Sequence, residues 1–272
     1  MSRIRQCFEK LKADGQTALI PYITAGDPEP WVTVSILHAL VDAGANILEL
    51  GIPFSDPMSD GPVIQKACER ALKNDVSLHD VLDIVRQFRE KDTETPIVLM
   101  GYANPLEAMG YKEFAINAQK VGVDGVLTVD MPPEESDEFL SIMDEHDIDT
   151  IFLVAPTTSV ERMAKIAQYA RGFIYYVSIK GVTGTASLDV AEVTEKMATL
   201  RQCTDLPLGV GFGIRDGKSA AEVAEIADAV VVGSALVRCI EEHASRPEEL
   251  PAALAGLLAE MRHAMNTNAT AK

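Results

Sequence analysis

Residues 46–62 read Asn46-Ile47-Leu48-Glu49-Leu50-Gly51-Ile52-Pro53-Phe54-Ser55-Asp56-Pro57-Met58-Ser59-Asp60-Gly61-Pro62: a short apolar run, a loop stiffened by prolines, then the opening of a helical stripe. Period-2 alternation puts Glu49 on the face opposite Leu48 and Leu50. If those leucines pack on helices, Glu49 points into the sheet interior. An ionised carboxylate costs several kcal/mol there unless it is paired, protonated or used, so its presence points to general acid–base chemistry. A second carboxylate, Asp60, follows on the loop. Beyond it Val63, Ile64, Ala67, Cys68 and Ala71 recur at helical spacing.

The same strand-then-helix unit repeats along the chain. Apolar runs of Val, Ile, Leu, Phe or Tyr, bounded by Gly, Pro, Asp or Ser, occupy 18–24, 46–51, 96–101, 125–130, 150–155, 173–178, 207–211 and 229–233. Such runs suit parallel strands buried on both faces. Helical stripes lie between them, among them Val34, Leu37 and Val41, and Leu78, Val81, Leu82, Val85 and Phe88. Ser77, with Asp80 three residues on, makes an approximate capping box for the latter. Eight units in a chain of 272 residues predict a closed (β/α)8 TIM barrel, with extra helical stretches at 4–12 and 247–265. No Pro/Gly/Ser-rich linker divides the chain, so residues 1–265 read as a single barrel domain followed by a polar tail, 266–272. An open doubly-wound sheet is the competing fold. It would be favoured by a G-x-G-x-x-G after the first strand, and Thr24-Ala25-Gly26-Asp27-Pro28 is not one.

Composition narrows the function. A net charge of -17 repels polyanions, which argues against nucleic acid or an anionic membrane surface as partner. No run has the roughly 18 apolar residues of a membrane span, and Met1 to Gly15 is charged throughout rather than a signal peptide, so a cytoplasmic location is expected. Cys7, Cys68, Cys203 and Cys239 are far apart and suit free thiols. The histidines have no paired metal-ligand spacing, and no metal is expected.

In a barrel the chemistry belongs at the C-terminal ends of the strands, where this chain concentrates glycine. Gly181-Val182-Thr183-Gly184 follows the sixth run, Gly211-Phe212-Gly213 the seventh, and Gly233-Ser234-Ala235 the eighth, opening a helical stretch. Glycine lets backbone N–H groups approach an anion, and a helix N-terminus adds a favourable dipole. Gly after a strand is usually only a turn. Two adjacent loops of this kind after the last strands point to a phosphate cradle.

These residues carry a resemblance over almost the whole chain, from about Arg5 to about Met265. The most specific segment is 48–65, supported by Met100-Gly101-Tyr102-Ala103-Asn104-Pro105, Asp130-Met131-Pro132-Pro133-Glu134-Glu135, Ala155-Pro156-Thr157-Thr158, Gly181-Val182-Thr183-Gly184 and Gly211-Phe212-Gly213-Ile214. The sequence resembles the tryptophan synthase alpha subunit family. The resemblance implies a lyase that cleaves indole-3-glycerol phosphate to indole and glyceraldehyde 3-phosphate. It implies no cofactor in this chain, and a beta subunit, holding pyridoxal phosphate, that takes the indole within an alpha2beta2 heterotetramer. It implies Glu49 and Asp60 as the catalytic pair with Tyr175 in support. It further implies that backbone amides at Gly184, Gly213, Gly233 and Ser234 hold the phosphate and that Tyr22, Met100, Tyr102, Leu127, Thr183 and Phe212 line the substrate pocket. Tyr22 stands where Phe is frequent in the family, Met100 where Leu is frequent, and Ile179 where many members carry Arg, leaving Lys180 as the nearby cation.

Loops 53–60 and 179–188, rich in Gly, Ser, Thr and Asp, are expected to move on ligand binding. Regions 53–60 and 104–109 are expected to meet the beta subunit. Two readings from other classes compete: a phosphate-binding barrel enzyme of a neighbouring step, which has no call for the Glu49/Asp60 pair, and a silent regulatory subunit, which would release no indole.

Overall fold

A computed structural model describes residues 2–177, 190–211 and 213–269. The strands are β1 (Ala18–Thr24), β2 (Leu48–Gly51), β3 (Ile97–Gly101), β4 (Gly125–Thr128), β5 (Asp149–Val154), β6 (Ile174–Val177), β7 (Leu208–Gly211) and β8 (Ala229–Val232). Each pairs in parallel with the next, and β8 returns to β1 to close a barrel in sequence order. This is the architecture that the repeated apolar runs predict. The helices are α1 (Arg3–Ala13), α2 (Pro30–Asp42), α3 (Pro62–Leu72), α4 (Leu78–Arg89), α5 (Ala103–Met109), α6 (Tyr111–Val121), α7 (Asp137–Glu145), α8 (Val160–Tyr169), α9 (Val190–Arg201), α10 (Gly217–Ala224), α11 (Ser234–Glu242) and α12 (Leu250–Ala269). The Ser77 capping box at the start of α4 is present in both directions.

Strand parity sorts the side chains into three apolar bodies. Leu19, Leu48, Leu50, Leu99, Val126 and Val230 face outward and join the helices in the main core. Their neighbours Ile20, Ile47, Val98, Leu127, Ile151 and Val231 face inward and fill the barrel. Helix α1 closes the N-terminal end, its Ile4, Phe8 and Leu11 packing into that interior and Phe8 tilting against Phe173 at 5.9 Å. The third body, Tyr22 with Ala67 of α3 and Val237 of α11, lies at the opposite end.

Three strands, β2, β3 and β8, are followed by two α-helices each, and the pairs after β2 and β8 shape the C-terminal mouth. After β2, α4 packs in the ring against α2 and α6, while α3 turns toward β1 and α11. After β8, α12 fills the ring between α10 and α2, and α11 turns toward α3 and β1. The chain therefore sets one short helix from each side of β1 over the mouth. Helix α12 continues to Ala269, past the boundary expected at Met265.

Candidate active site

Glu49 stands on β2 in register with Tyr22 of β1 and Val98 of β3, all on the inward face. It is 2% exposed. Parity and the flanking leucines force it there, because the outward face of β2 is occupied by Leu48 and Leu50 in the core. Its Oε1 has no hydrogen-bond partner among the described residues. Burial, followed by the nearby Asp60 charge, pushes its pKa up to about 8. At neutral pH the carboxyl is therefore mostly protonated.

Asp60 ends the loop after β2, just ahead of Gly61 and the proline that starts α3. The Tyr102 hydroxyl donates to Asp60 Oδ2 at 3.0 Å and accepts from the Ser59 amide at 3.0 Å. Gln65, one turn into α3, donates to the Asp60 carbonyl at 2.9 Å. Burial raises the Asp60 pKa, and the Tyr102 hydrogen bond opposes that rise. Tyr102 is itself stacked on Phe54, with ring centroids 5.2 Å apart. The ring thus braces the loop while its hydroxyl orients the acid.

Tyr175 on β6 is 5% exposed, and burial followed by the Glu49 and Asp60 charges drives its pKa well above the ordinary value. It stays a neutral O–H donor. Its hydroxyl occupies the space a Cβ at Gly211 would need, and Tyr22 does the same at Gly51. On each side of the barrel, a glycine on the adjoining strand gives a tyrosine room to stand. The Tyr22 hydroxyl also shares a hydrogen bond of 3.2 Å with Thr24 Oγ1.

These groups meet in one cavity at the mouth, enclosing about 480 Å³ with its opening included. Tyr22, Glu49, Asp60, Met100 and Tyr175 form one part of its wall, and Gly213, Gly233 and Ser234 the other. Ser234 is the first residue of α11, whose N-cap Gly233 provides no side-chain acceptor for the first-turn amides. Those free N–H groups and the helix dipole favour an anion. Gly213 has a φ of +79°, a conformation that favours glycine. No Lys or Arg lines the cavity among the described residues, so backbone dipoles supply the positive potential in this acidic chain.

Two of the pocket residues expected from sequence stand apart from the cavity wall. Leu127 pairs with Met100 and faces inward, but it is fully buried in the barrel interior and does not line the cavity. Tyr102 reaches the site through Asp60. Thr183, Gly184, Phe212 and the loop 179–188 lie outside the described residues. Ile64, Ile214 and Val231 line the cavity and were not singled out in the sequence. Val231 could have been found by parity, two residues after inward-facing Ala229. Ile64 could have been found from its place one helical turn beyond Asp60.

Known proteins resemble this chain over nearly its whole length. The sequence model of the tryptophan synthase alpha chain family matches residues 8–266. The tryptophan synthase alpha chain of Thioalkalivibrio sulfidiphilus is 61% identical over 266 residues, covering 98% of this chain and all of the relative. The crystal structure of the alpha subunit from Legionella pneumophila superposes with a TM-score of 0.91 at 48% identity, covering 98% of this chain and 99% of that one. A chain of the tryptophan synthase complex from Pyrococcus furiosus superposes with a TM-score of 0.80 at 38% identity, covering 91% and 99% of the respective chains.

Proposed function

This chain belongs to the tryptophan synthase alpha chain family, and from that premise we propose how its residues carry the family's reaction. The reaction cleaves indole-3-glycerol phosphate to indole and glyceraldehyde 3-phosphate, a carbon–carbon lyase step of tryptophan biosynthesis. Glu49 begins as the acid, since its carboxyl holds a proton at neutral pH. It delivers that proton to indole C3, and positive charge spreads to the ring nitrogen. The Asp60 carboxylate accepts the hydrogen bond of that N–H and stabilises the cation electrostatically. Glu49, now ionised, takes the proton of the side-chain hydroxyl next to C3. The C3–carbon bond then breaks, its electron pair returns to the indole ring, and the hydroxyl carbon becomes the aldehyde. Glu49 finishes protonated, ready for the next turnover. Tyr175 supports as a neutral hydroxyl donor beside the acids.

The phosphate is held by the amides of Gly213, Gly233 and Ser234 among the described residues, with Gly184 from the preceding loop. Tyr22, Met100, Thr183 and Phe212 enclose the indole. The observation that carries this reading is a buried Glu49, its Oε1 without a hydrogen-bond partner among the described residues and its pKa pushed up by burial, on the wall of the cavity that Asp60 and the α11 N-terminus also line.

Tryptophan synthase alpha chains associate with a partner subunit, as the solved complexes of relatives attest. We further propose an alpha2beta2 assembly in which the beta subunit holds pyridoxal phosphate and receives the indole. Its contact surface here is residues 53–60 and 104–109; Met58 in the first of these is 75% exposed. Loop 53–60 tightens over bound substrate, so a substrate analogue should protect it from limited proteolysis. No described helix is long and apolar enough to cross a membrane. A cytoplasmic location and a single domain over 1–265 complete the proposal.

The test is indole release from indole-3-glycerol phosphate by wild type, Glu49→Gln and Asp60→Asn, with and without the beta subunit. Both substitutions should remove most turnover. A wild type that releases no indole even with its partner, or substitutions that cost less than about tenfold, about 1.4 kcal/mol of barrier, would overturn the assignment.

A further inference from the structure

The two halves of the site sit on the two short helices over the mouth. Asp60 precedes α3, and the phosphate amides open α11. Arg70 of α3 contacts both the loop after β1 and α11. Its Nε and Nη2 donate to Asp27 Oδ1 and Oδ2 at 2.6 and 2.8 Å, a fork that fixes the guanidinium plane. Asp27 is 1% exposed, in the loop after β1. The remaining arm, Arg70 Nη1, lies 3.8 Å from Glu241 of α11, and Lys66 reaches the same carboxylate at 3.4 Å.

Further contacts hold this end of α3 to the same loop. Asn74 donates to the Pro28 carbonyl at 2.8 Å, and Gly26 sits so close to Val76 that a Cβ there would clash. The other end of α3 grips Asp60 through Gln65. Between the helices Ala67, Val237 and Tyr22 form a small apolar body. The helix is thus a short strut, fixed to the β1 loop at one end and carrying the acid at the other.

We propose that Arg70 is a positioning residue for the lyase reaction, setting the reach from Asp60 to the phosphate-binding amides by tying α3 at once to Asp27 and to α11. The proposal rests on Asp60 as the cation-stabilising acid and on the α11 amides as the phosphate site. Neither Arg70 nor Asp27 lines the cavity. Their influence passes through the placement of the two helices. Misplacing reacting groups by about 1 Å can cost about 100-fold in rate, so a loosened strut acts on kcat, and a displaced α11 acts on KM.

The experiment measures kcat and KM for indole release by the full-length chain carrying Arg70→Met, Arg70→Lys, Asp27→Asn or Asp60→Asn, each normalised to folded protein by near-ultraviolet circular dichroism. Arg70→Met should raise KM about tenfold and lower kcat about tenfold. Arg70→Lys keeps the charge beside Glu241 and loses the fork, so it should restore KM more than kcat. Asp27→Asn, nearly isosteric, should lower kcat about threefold with KM near wild type, and stands in if Arg70→Met does not fold. Kinetic constants within about twofold of wild type for folded Arg70→Met, or for Asp27→Asn in its place, overturn the proposal. So does a loss that only follows the folded fraction. If Asp60→Asn is also silent, the assignment of Asp60 falls as well; if Asp60→Asn is inactive and the Arg70 and Asp27 variants are silent, only the strut falls.

Discussion

Two carboxylates are buried at opposite ends of this barrel, and they are treated in opposite ways. Asp124, 4% exposed at the N-terminal end, accepts from Arg3 at 2.7 Å, from Arg89 at 2.8 Å and from the Ile97 amide at 2.8 Å. Glu49, 2% exposed at the C-terminal mouth, has among the described residues no cation lining its cavity and no partner for its Oε1. Burial pushes both pKa values up, but at Asp124 the amide bond and two guanidiniums oppose the rise. At Glu49 the charge of Asp60 adds to the rise. Asp124 is a closed hydrogen-bond network that ties α1, α4 and the start of β3 together. Glu49 is left open on a cavity wall, where its proton can be passed to a substrate.

The sharpest way to break this contrast is to neutralise each acid in turn. Glu49→Gln should lower indole release about 100- to 10,000-fold, the usual range for a general acid–base group, with the fold intact. Asp124→Ala should do the reverse. It removes the acceptor shared by Arg3, Arg89 and the Ile97 amide, leaving Arg89 only its carbonyl partners and Asp92, and should cost about 3–5 kcal/mol in a urea titration. Turnover per folded molecule should stay within about twofold of wild type. If Asp124→Ala silenced the reaction without loss of stability, the division between the two ends would be wrong.

A pH series sharpens the comparison. In the unfolded chain Glu49 titrates near 4.5, and in the folded protein near about 8. Between these values the folded state binds a proton that the unfolded state has released. The stability contributed by the neutral acid is therefore present below about pH 4.5 and lost as pH rises through about 8. Glu49→Gln has no such proton to lose. Its melting temperature should overtake that of wild type as pH rises from about 5 to about 8.5, by an amount equivalent to a few kcal/mol. A gap that stays constant with pH would show that Glu49 is not held neutral.

Tyr102→Phe should have a smaller effect than neutralising Glu49. It removes the hydroxyl from Asp60 Oδ2 and from the Ser59 amide while keeping the ring stacked on Phe54. Turnover should fall about three- to tenfold, and the acidic limb of the pH–rate profile should move upward as Asp60 loses a hydrogen bond to its charged form. An unmoved limb would mean that Tyr102 only packs.

How much of this could be read from sequence depended on whether the signal was local. All eight strands announced themselves, because a buried parallel strand must be apolar on both faces and the turns between units are marked by Gly, Pro and Asp. Glu49 stood out because it breaks such a run. Its inward direction follows from parity with Leu48 and Leu50. The family motifs supplied the partners. What stayed hidden depends on which parts of a closed barrel meet. The Tyr102 bond to Asp60 joins residues far apart in sequence, and so does the Arg70 fork on Asp27. The same holds for Gly51, which reads as the end of an apolar run, and Gly211, which reads as part of the phosphate cradle; Tyr22 and Tyr175 on the adjoining strands occupy the side-chain space of both. The stretch at 247–265 read as an addition to the barrel; its helix α12 occupies the ring beside α10 and α2, and the short α11 is the one that turns over the mouth. Helical periodicity alone does not tell such positions apart.

The most direct measurement is a titration of Glu49 itself, by infrared difference spectroscopy of the carboxyl carbonyl stretch in wild type against Glu49→Gln. A protonated-carboxyl band that is present at about pH 6, absent in the variant, and lost with a midpoint near about 8 is the outcome expected here. A Glu49 already ionised at about pH 6 would contradict the account at its centre.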